Sequence, residues 1–290
     1  MRSKLFVPGS RPELFAKALA SDADALSIDL EDSVVESRKA EARAFVADFL
    51  QSQRVVSGNP KTIVVRVNAL GTPHFEADLE AVAQRGVAIV NLPKVESADD
   101  VLACIAALGR ASAASGARQK TRVLANIETP KGLRRAAEIA AAHARVAGLQ
   151  IGYADLLVAH GIERDDPTSV HAVMLAVRMA AAEAGVPAYD GAYPDVQDQK
   201  GFRAEAQMAR RLGFWGKSCI HPKQVPVANE IFSPSEEEIA AAQRVVEASR
   251  QAVAQGLGAF TVDGRMIDAP AIRRAEAIVE IGRRLGAVTS

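Results

Sequence analysis

Acidic side chains recur in this chain where apolar, strand-like runs end. Residues 122–127 (RVLANI) read as a strand, Glu128 follows at its carboxyl end, and Thr129-Pro130 starts a helix with proline in its first turn. Arg145 to Gly152 repeats the arrangement, and Asp155 lies just beyond it, where Gly152 gives the backbone freedom. In a parallel sheet, successive strand ends lie side by side, so these two carboxylates can share one hard cation through oxygen ligands. Glu128 and Asp155 are therefore the candidate Mg2+ ligands. Taken singly, each would serve equally well as a helix N-cap or a solvated loop acid; their repetition on consecutive strands favours the metal.

Other groups gather at other strand ends. The strand 24–28 runs straight into Asp29-Leu30-Glu31-Asp32. Three acids in four residues repel one another unless cations offset them, which points to a metal shell or an ion-pair network. We expect Glu31 or Asp29 to face the pocket and Asp32 to be structural, and Lys94, at another strand tip, could neutralise the cluster. Arg66 ends the strand 62–65; its planar fork suits bidentate binding of a small carboxylate or a thioester oxygen, although a salt bridge to the nearby acids fits the same position. Near the amino terminus, a strand stops at Pro8-Gly9-Ser10 and a helix follows to about Ala20. Ser10, Arg11 and Lys17 could hold a phosphate there, or be ordinary surface residues of an amphipathic helix. His221 also stands at a strand tip, but His-Pro begins helices naturally; His160 and His171 look incidental.

The elements that must position these groups are eight apolar runs between Lys4 and Ile220, each followed by a helical pattern and closed by polar, Gly or Pro residues. This predicts an α/β fold, a (β/α)8 TIM barrel over residues 1–232 with a helical and hairpin extension over 233–290. A doubly wound open sheet is the alternative, but candidate residues recurring after strands one to six suit a ring of loops better than one switch point. The extension reads as a helix over 234–255 stopped at Gly256, a hairpin around Asp263-Gly264 and a final amphipathic helix. Polar connections are expected at 57–61 and up to Lys120.

Composition bounds the rest. With 290 residues, 49% hydrophobic and 24% charged, the chain has ordinary globular character. Lysine plus arginine and aspartate plus glutamate both number 35, so nothing favours nucleic acid or an anionic membrane. Cys104 and Cys219 lie in apolar contexts, far apart, as reduced core residues. There is no apolar run of membrane-spanning length and no apolar signal core, so cytoplasm is the expected location.

The motifs LFVPGSRPELFAKAL (5–19), DLEDSV (29–34), RVN (66–68), LPKVES (92–97), IETPKGL (127–133), GYADL (152–156), GFWGKSCIHPKQV (213–225) and AFTVDGRMIDAP (259–270) occur in that order. Together they are highly specific, and over nearly the whole chain the sequence resembles the β subunit of citrate lyase and its malyl-CoA and citramalyl-CoA lyase relatives, within the magnesium-dependent aldolases. The resemblance implies a (β/α)8 barrel forming a homotrimer or hexamer. It implies Mg2+ on Glu128 and Asp155, substrate on Arg66, and CoA phosphates near Arg11 and Lys17. It also implies that the carboxy-terminal segment reaches over a neighbouring subunit's active site and supplies Asp268 as general acid/base. From the residues alone, Asp268 is equally the N-cap of the helix that Pro270 would start.

The implied chemistry is cleavage of a 3-hydroxyacyl-CoA thioester carrying a carboxylate, such as citramalyl-CoA or malyl-CoA, to acetyl-CoA and a 2-oxo acid, or the reverse. Hydrolysis of the product thioester, as in a malate-synthase-like outcome, is compatible with the same residues. A subunit of citrate lyase would instead act on the prosthetic arm of an acyl carrier protein. A non-catalytic barrel or regulatory partner is the third reading, against which the intact Glu128, Asp155 and Arg66 set argues.

Overall fold

The structure is a computed structural model that describes residues 1–52, 61–83, 86–116, 121–254 and 257–286. The expected linker residues 57–60, the residues leading into Lys120 and the helix stop at Gly256 lie outside these. Eight strands alternate with helices: β1 (Ser3–Pro8), α1 (Phe15–Leu19), β2 (Ala25–Asp29), α2 (Lys39–Gln51), β3 (Thr62–Arg66), α3 (Phe75–Val82), β4 (Val87–Leu92), α4 (Ala98–Ser115), β5 (Arg122–Ile127), α5 (Pro130–Arg134), α6 (Ala136–Ala141), β6 (Val146–Ile151), α7 (Tyr153–Leu156), α8 (Pro167–Glu183), β7 (Ala188–Tyr189), α9 (Gln199–Arg211), β8 (Lys217–Cys219) and α10 (Gln224–Phe232).

Strand order is β7-β6-β5-β4-β3-β2-β1-β8, with every pair parallel. A parallel bridge between Asp190 and Lys217 links the two ends of this sheet and closes the ring. Consecutive neighbours and a closed edge are the (β/α)8 barrel; a doubly wound sheet would reverse order at a switch point and leave two edges. Inside, Ala25, Val64, Ile89, Leu124, Ala147 and Tyr189 pack as one cluster, one residue from each of β2 to β7. An inward layer of a barrel requires this contribution from successive strands.

The helices begin where local chemistry satisfies their first N–H groups. Ser97 and Asp100 cap α4 reciprocally, Thr129 Oγ1 accepts from Gly132 N at 2.9 Å ahead of Pro130, and Asp166 and Asp198 cap α8 and α9. Two expectations change. The amino-terminal helix is a three-residue 3-10 turn (Pro12–Leu14) followed by the five-residue α1. The last two barrel strands are two and three residues long; ahead of β8, Gly213 turns at φ +87° and Gly216 lies against the Met1 and Arg2 carbonyls, where a Cβ would meet Arg2 O at 2.6 Å.

The chain divides into two compact units, Met1–Glu230 and Ile231–Ser290. The second contains α11 (Glu236–Ala254), the hairpin β9 (Phe260–Val262) and β10 (Arg265–Ile267), and α12 (Ala269–Arg284). Asp263 and Gly264, both at positive φ, make the hairpin turn. Ala242 on α11 packs against Ala275 and Val279 on α12. No described helix is long and apolar enough to cross a membrane. Cys104 and Cys219 are buried and unpaired, and burial pushes both thiols up to about 12.

Candidate active site

A cavity of about 500 Å3 opens at the carboxyl ends of the barrel strands, lined by residues of β1, β2, β3, β5, β6 and β8 and of the loops that follow them. Register explains its acidic side. Asp29 and Arg66 are the last residues of β2 and β3 and face each other directly in the ladder. Arg66 Nε and Nη2 donate to the two Asp29 oxygens at 2.6 and 2.7 Å, and Asp29 also accepts from Glu31 N and Ser33 N. Burial opposes ionisation of Asp29, but Arg66 outweighs it and holds the carboxyl below its usual range.

The bidentate fork assigned to substrate from the sequence is therefore occupied by Asp29. What Arg66 presents besides is Nη1, 3.0 Å from Glu31 Oε2 and 3.5 Å from Asp32 Oδ2. The Nη1–Glu31 approach is an ion pair not aligned as a hydrogen bond, so Glu31 Oε2 is buried without one. Lys94 Nζ donates to Glu31 Oε1 at 2.8 Å and lies 3.7 Å from Asp32. Asp32, expected to be structural, lines the cavity with its side chain 54% exposed, as does Asp29, whereas Glu31 is buried behind them.

Glu128 sits one residue past β5, buried, and lines the same cavity as Asp155 on α7. Lys94 is at φ +52°, a left-handed conformation rare outside glycine, and this aims its N–H at Glu128 Oε1 at 2.6 Å. Asn126 Nδ2 donates to Glu128 Oε2, and Gln150 Nε2 holds the Asn126 carbonyl at 2.8 Å. These donors favour an ionised carboxylate. Burial and the charge of Glu31 work against it and push the Glu128 carboxyl up to about 8.

A carboxylate built for its anionic form, yet short of positive charge, is a group a cation would complete. Asp155 is half-buried and accepts no hydrogen bond among the described residues, which leaves its oxygens for a ligand. Among the described residues no group of three or more His, Cys, Asp or Glu forms a complete cage. Mg2+ does not need one, since it commonly takes one or two carboxylates and fills its octahedron with water and substrate oxygens. The residues fit the ion.

Close approach matters at Gly152. A Cβ there would come within 2.6 Å of Glu128 Cβ and run into its carboxylate. Gly152→Ala is expected to displace Glu128 and weaken Mg2+ binding by roughly 10–100-fold, read as a loss of the Mg2+-induced rise in Tm. An unchanged rise would show that Glu128 does not need this spacing.

The phosphate-binding group fares differently. Arg11 is exposed and paired with Glu13, Lys17 is exposed, and Ser10, Arg11 and Lys17 do not line the cavity, although the neighbouring Pro8 does. The helix start expected to attract phosphate is only a 3-10 turn and five α-helical residues, too short for a substantial dipole. Asp268 lies in the second unit, exposed, and accepts from Ala271 N at 3.2 Å as the N-cap of α12. His221 accepts from Lys223 N in a turn and does not line the cavity.

Sequence reasoning missed a buried ionic network behind Tyr153 and Arg164, which line the cavity. Lys217 Nζ donates to Asp190 Oδ2 and Glu205 Oε1, both at 2.6 Å, and Tyr153 OH donates to Asp190 Oδ1 at 2.7 Å. Arg164 pairs with Glu205 through both Nη atoms at 2.7 and 2.8 Å, with its guanidinium 4.1 Å above the Tyr153 ring. Burial opposes the Lys217 charge, but Asp190 and Glu205 outweigh it and raise its pKa. The available signal was a lone charge in the mostly apolar run GFWGKSCI (213–220), which must find partners. Lys217→Met strands the two acids and is expected to destabilise the fold by about 3–5 kcal/mol in denaturant unfolding; a loss under 1 kcal/mol would mean that the network is solvated.

The geometry, an acidic cavity at the carboxyl ends of a closed parallel barrel, agrees with sequence comparison. The profile described as HpcH/HpaI aldolase/citrate lyase matches residues 2–222. The citrate lyase β subunit of Escherichia coli K12 is 39% identical over 280 residues, covering 96% of this chain and 92% of that protein. The L-malyl-CoA/β-methylmalyl-CoA lyase of Rhodobacter capsulatus is 35% identical over 299 residues, covering 96% and 93%. A crystal structure of CitE from Mycobacterium tuberculosis with magnesium, acetoacetate and coenzyme A superposes with a TM-score of 0.77 at 35% identity, covering 98% of this chain and all of that one. Further solved structures from that organism contain magnesium with oxaloacetate or with pyruvate. The chain belongs to the HpcH/HpaI aldolase/citrate lyase family.

Proposed function

We propose that this chain is a Mg2+-dependent carbon–carbon lyase that cleaves or forms a 3-hydroxyacyl-CoA thioester, such as citramalyl-CoA or malyl-CoA, with acetyl-CoA and a 2-oxo acid as the other side of the reaction. The observation that carries the reading is the pair of carboxylates Glu128 and Asp155 on one cavity wall beside the Arg66 guanidinium. When bound there, Mg2+ supplies Lewis acidity to the substrate's carboxylate and hydroxyl oxygens. Glu128 and Asp155 hold it, and Lys94 N–H and Asn126 orient Glu128.

In cleavage the hydroxyl proton passes to water and from there to the Asp268 carboxylate, the carbon–carbon bond breaks, and its electron pair passes to the thioester as an enolate. Arg66 contributes positive charge where that negative charge develops, with Asp29 fixing the plane of its guanidinium. Asp268 of a neighbouring protomer gives the enolate carbon its proton, and in condensation removes it. This assigns the second unit to capping an adjoining subunit within a homotrimer or hexamer. Ser10, Arg11 and Lys17, in the segment that follows Pro8, would meet the CoA phosphates. The free thiols suit a reducing cytoplasm.

The 39% identity to a citrate lyase β subunit supports a second reading, in which the thioester is carried by an acyl carrier protein. The test is a cleavage assay on the purified chain with citramalyl-CoA, malyl-CoA and 3-hydroxy-3-methylglutaryl-CoA, with Mg2+ or with EDTA, following 2-oxo acid and acetyl-CoA. Cleavage abolished by EDTA and restored by Mg2+ is expected. Silence with every CoA ester, in protein that binds Mg2+, would move the assignment to the carrier-protein reaction.

A further inference from the structure

We propose that the barrel interior binds a small inorganic anion of the halide class, held by Lys4, Ser27, Asn91 and Ser218 in the layer beneath the active-site cavity. Inward-facing residues recur at every second position along a strand. Two residues beyond Ala25, Val64, Ile89 and Leu124 of the apolar layer stand Ser27, Arg66, Asn91 and Asn126, so the next layer is polar. Lys4 joins it from β1. It pairs in register with Ala25 on one side and Ser218 on the other, and its Nζ reaches to 4.8 Å from the centroid of the Phe6 ring. Arg66 and Asn126 have partners of their own. The others do not: Lys4 Nζ, Ser27 Oγ, Ser218 Oγ and both amide atoms of Asn91 are buried without a hydrogen bond, in residues no more than 2% exposed.

The chemistry of this group is one-sided. An ammonium, two hydroxyls and an amide NH2 are donors, and the three N–H of the ammonium suffice for both an anion and the Asn91 carbonyl. No carboxylate pairs with Lys4 among the described residues, and the charge that shares its ring is of the same sign: Arg66 Cζ lies 5.5 Å from the Phe6 centroid. A buried ammonium without a counter-charge is costly. Burial, and after it the Arg66 charge, push the Lys4 amine well below the ordinary lysine value. Asp29, the carboxylate two residues beyond Ser27, cannot supply the balance, because Arg66 holds both of its oxygens. Water would hydrate the donors without neutralising the charge, whereas an anion does both. A monatomic anion suits the place, since the interior of an eight-stranded barrel has room for little beyond its side chains and such an ion accepts from every direction. The site is separate from the cation's. Phe6 and Ser218 line the cavity, while Lys4, Ser27 and Asn91 lie out of it. It is also independent of the reaction assigned to that cavity.

Bromide is the probe. Crystals of the full chain grown in sodium bromide should show one anomalous peak inside the barrel, bounded by Lys4, Ser27 and Asn91, and crystals of Lys4→Met should show none there. In solution, the metal-free protein should melt about 3 °C or more higher in bromide than in gluconate at equal ionic strength. Lys4→Met keeps the length of the side chain without its charge and should abolish that difference. Ser27→Ala removes a hydroxyl that has no other bond, so the fold is kept while the bromide concentration needed for the same shift rises about 10-fold. Equal melting in the two salts with no anomalous peak would show Lys4 to be a hydrated neutral amine and overturn the proposal. A peak without any difference in melting would mean binding at crystal concentration only, and would overturn it as well. So would a bromide effect that survives Lys4→Met, or one that Ser27→Ala leaves unchanged.

Discussion

Glu128→Gln is expected to lower kcat/KM for the cleaved thioester by about 10³-fold or more while leaving Tm in the absence of metal unchanged or raised. The amide keeps the volume and can still accept from Lys94 N–H, but its NH2 faces the Asn126 Nδ2 donor, a cost that loss of the buried charge offsets, and it cannot supply an anionic ligand. Lewis-acid stabilisation of several kcal/mol converts to this factor at 1.36 kcal/mol per decade. Stability moves the other way because burial and Glu31 already disfavour the Glu128 anion, whose carboxyl is pushed up to about 8. Above that pH the metal-free protein keeps a charge that burial opposes, and the neutral amide removes it. Circular dichroism melts with EDTA, set beside turnover with Mg2+, separate ligand loss from unfolding. Retained activity in this variant would remove Glu128 from the metal site.

Asp268→Asn is expected to reduce turnover by roughly 10²-fold with little effect on Tm. Asparagine caps helices about as well as aspartate, so the acceptance from Ala271 N that starts α12 is kept while the exchangeable proton is lost. Asp268→Ala removes both functions, and comparing the two variants distinguishes a proton donor from a cap. If Asp268 works on a neighbouring subunit's cavity, mixing Glu128→Gln protomers with Asp268→Asn protomers should restore activity. At random assembly about a quarter of sites would then hold an intact pair. No recovery after verified subunit exchange would place Asp268 outside the neighbour's site.

The parts of this molecule that were legible in the sequence are those in which local signals agree. Glu128 and Asp155 could be found because each follows an apolar run, and Thr129-Pro130 marks the helix start with a cap and a proline. The barrel followed from the repeat of such units. The Asp29–Arg66 pair was less legible because it depends on the β2/β3 register, 37 residues apart, and that register decides which part of the guanidinium is left over. The Lys217 network joins residues from α7, the loop ahead of α8, the end of β7, α9 and β8, and no spacing within the sequence encodes their meeting. At the amino terminus, PGSRPE resembles one helix start, but the chain folds into separate short turns that carry little dipole.

The account turns on whether Glu128 and Asp155 together hold the cation on which turnover depends. The most direct measurement is a Mn2+ titration followed by electron paramagnetic resonance, competed with Mg2+, on the wild-type chain and on Glu128→Gln and Asp155→Asn, with cleavage assayed in the same samples. One Mn2+ per chain displaced by Mg2+, lost together with activity in both variants, is the expected result. Tight binding that survives both substitutions, or turnover that persists without bound metal, would contradict it.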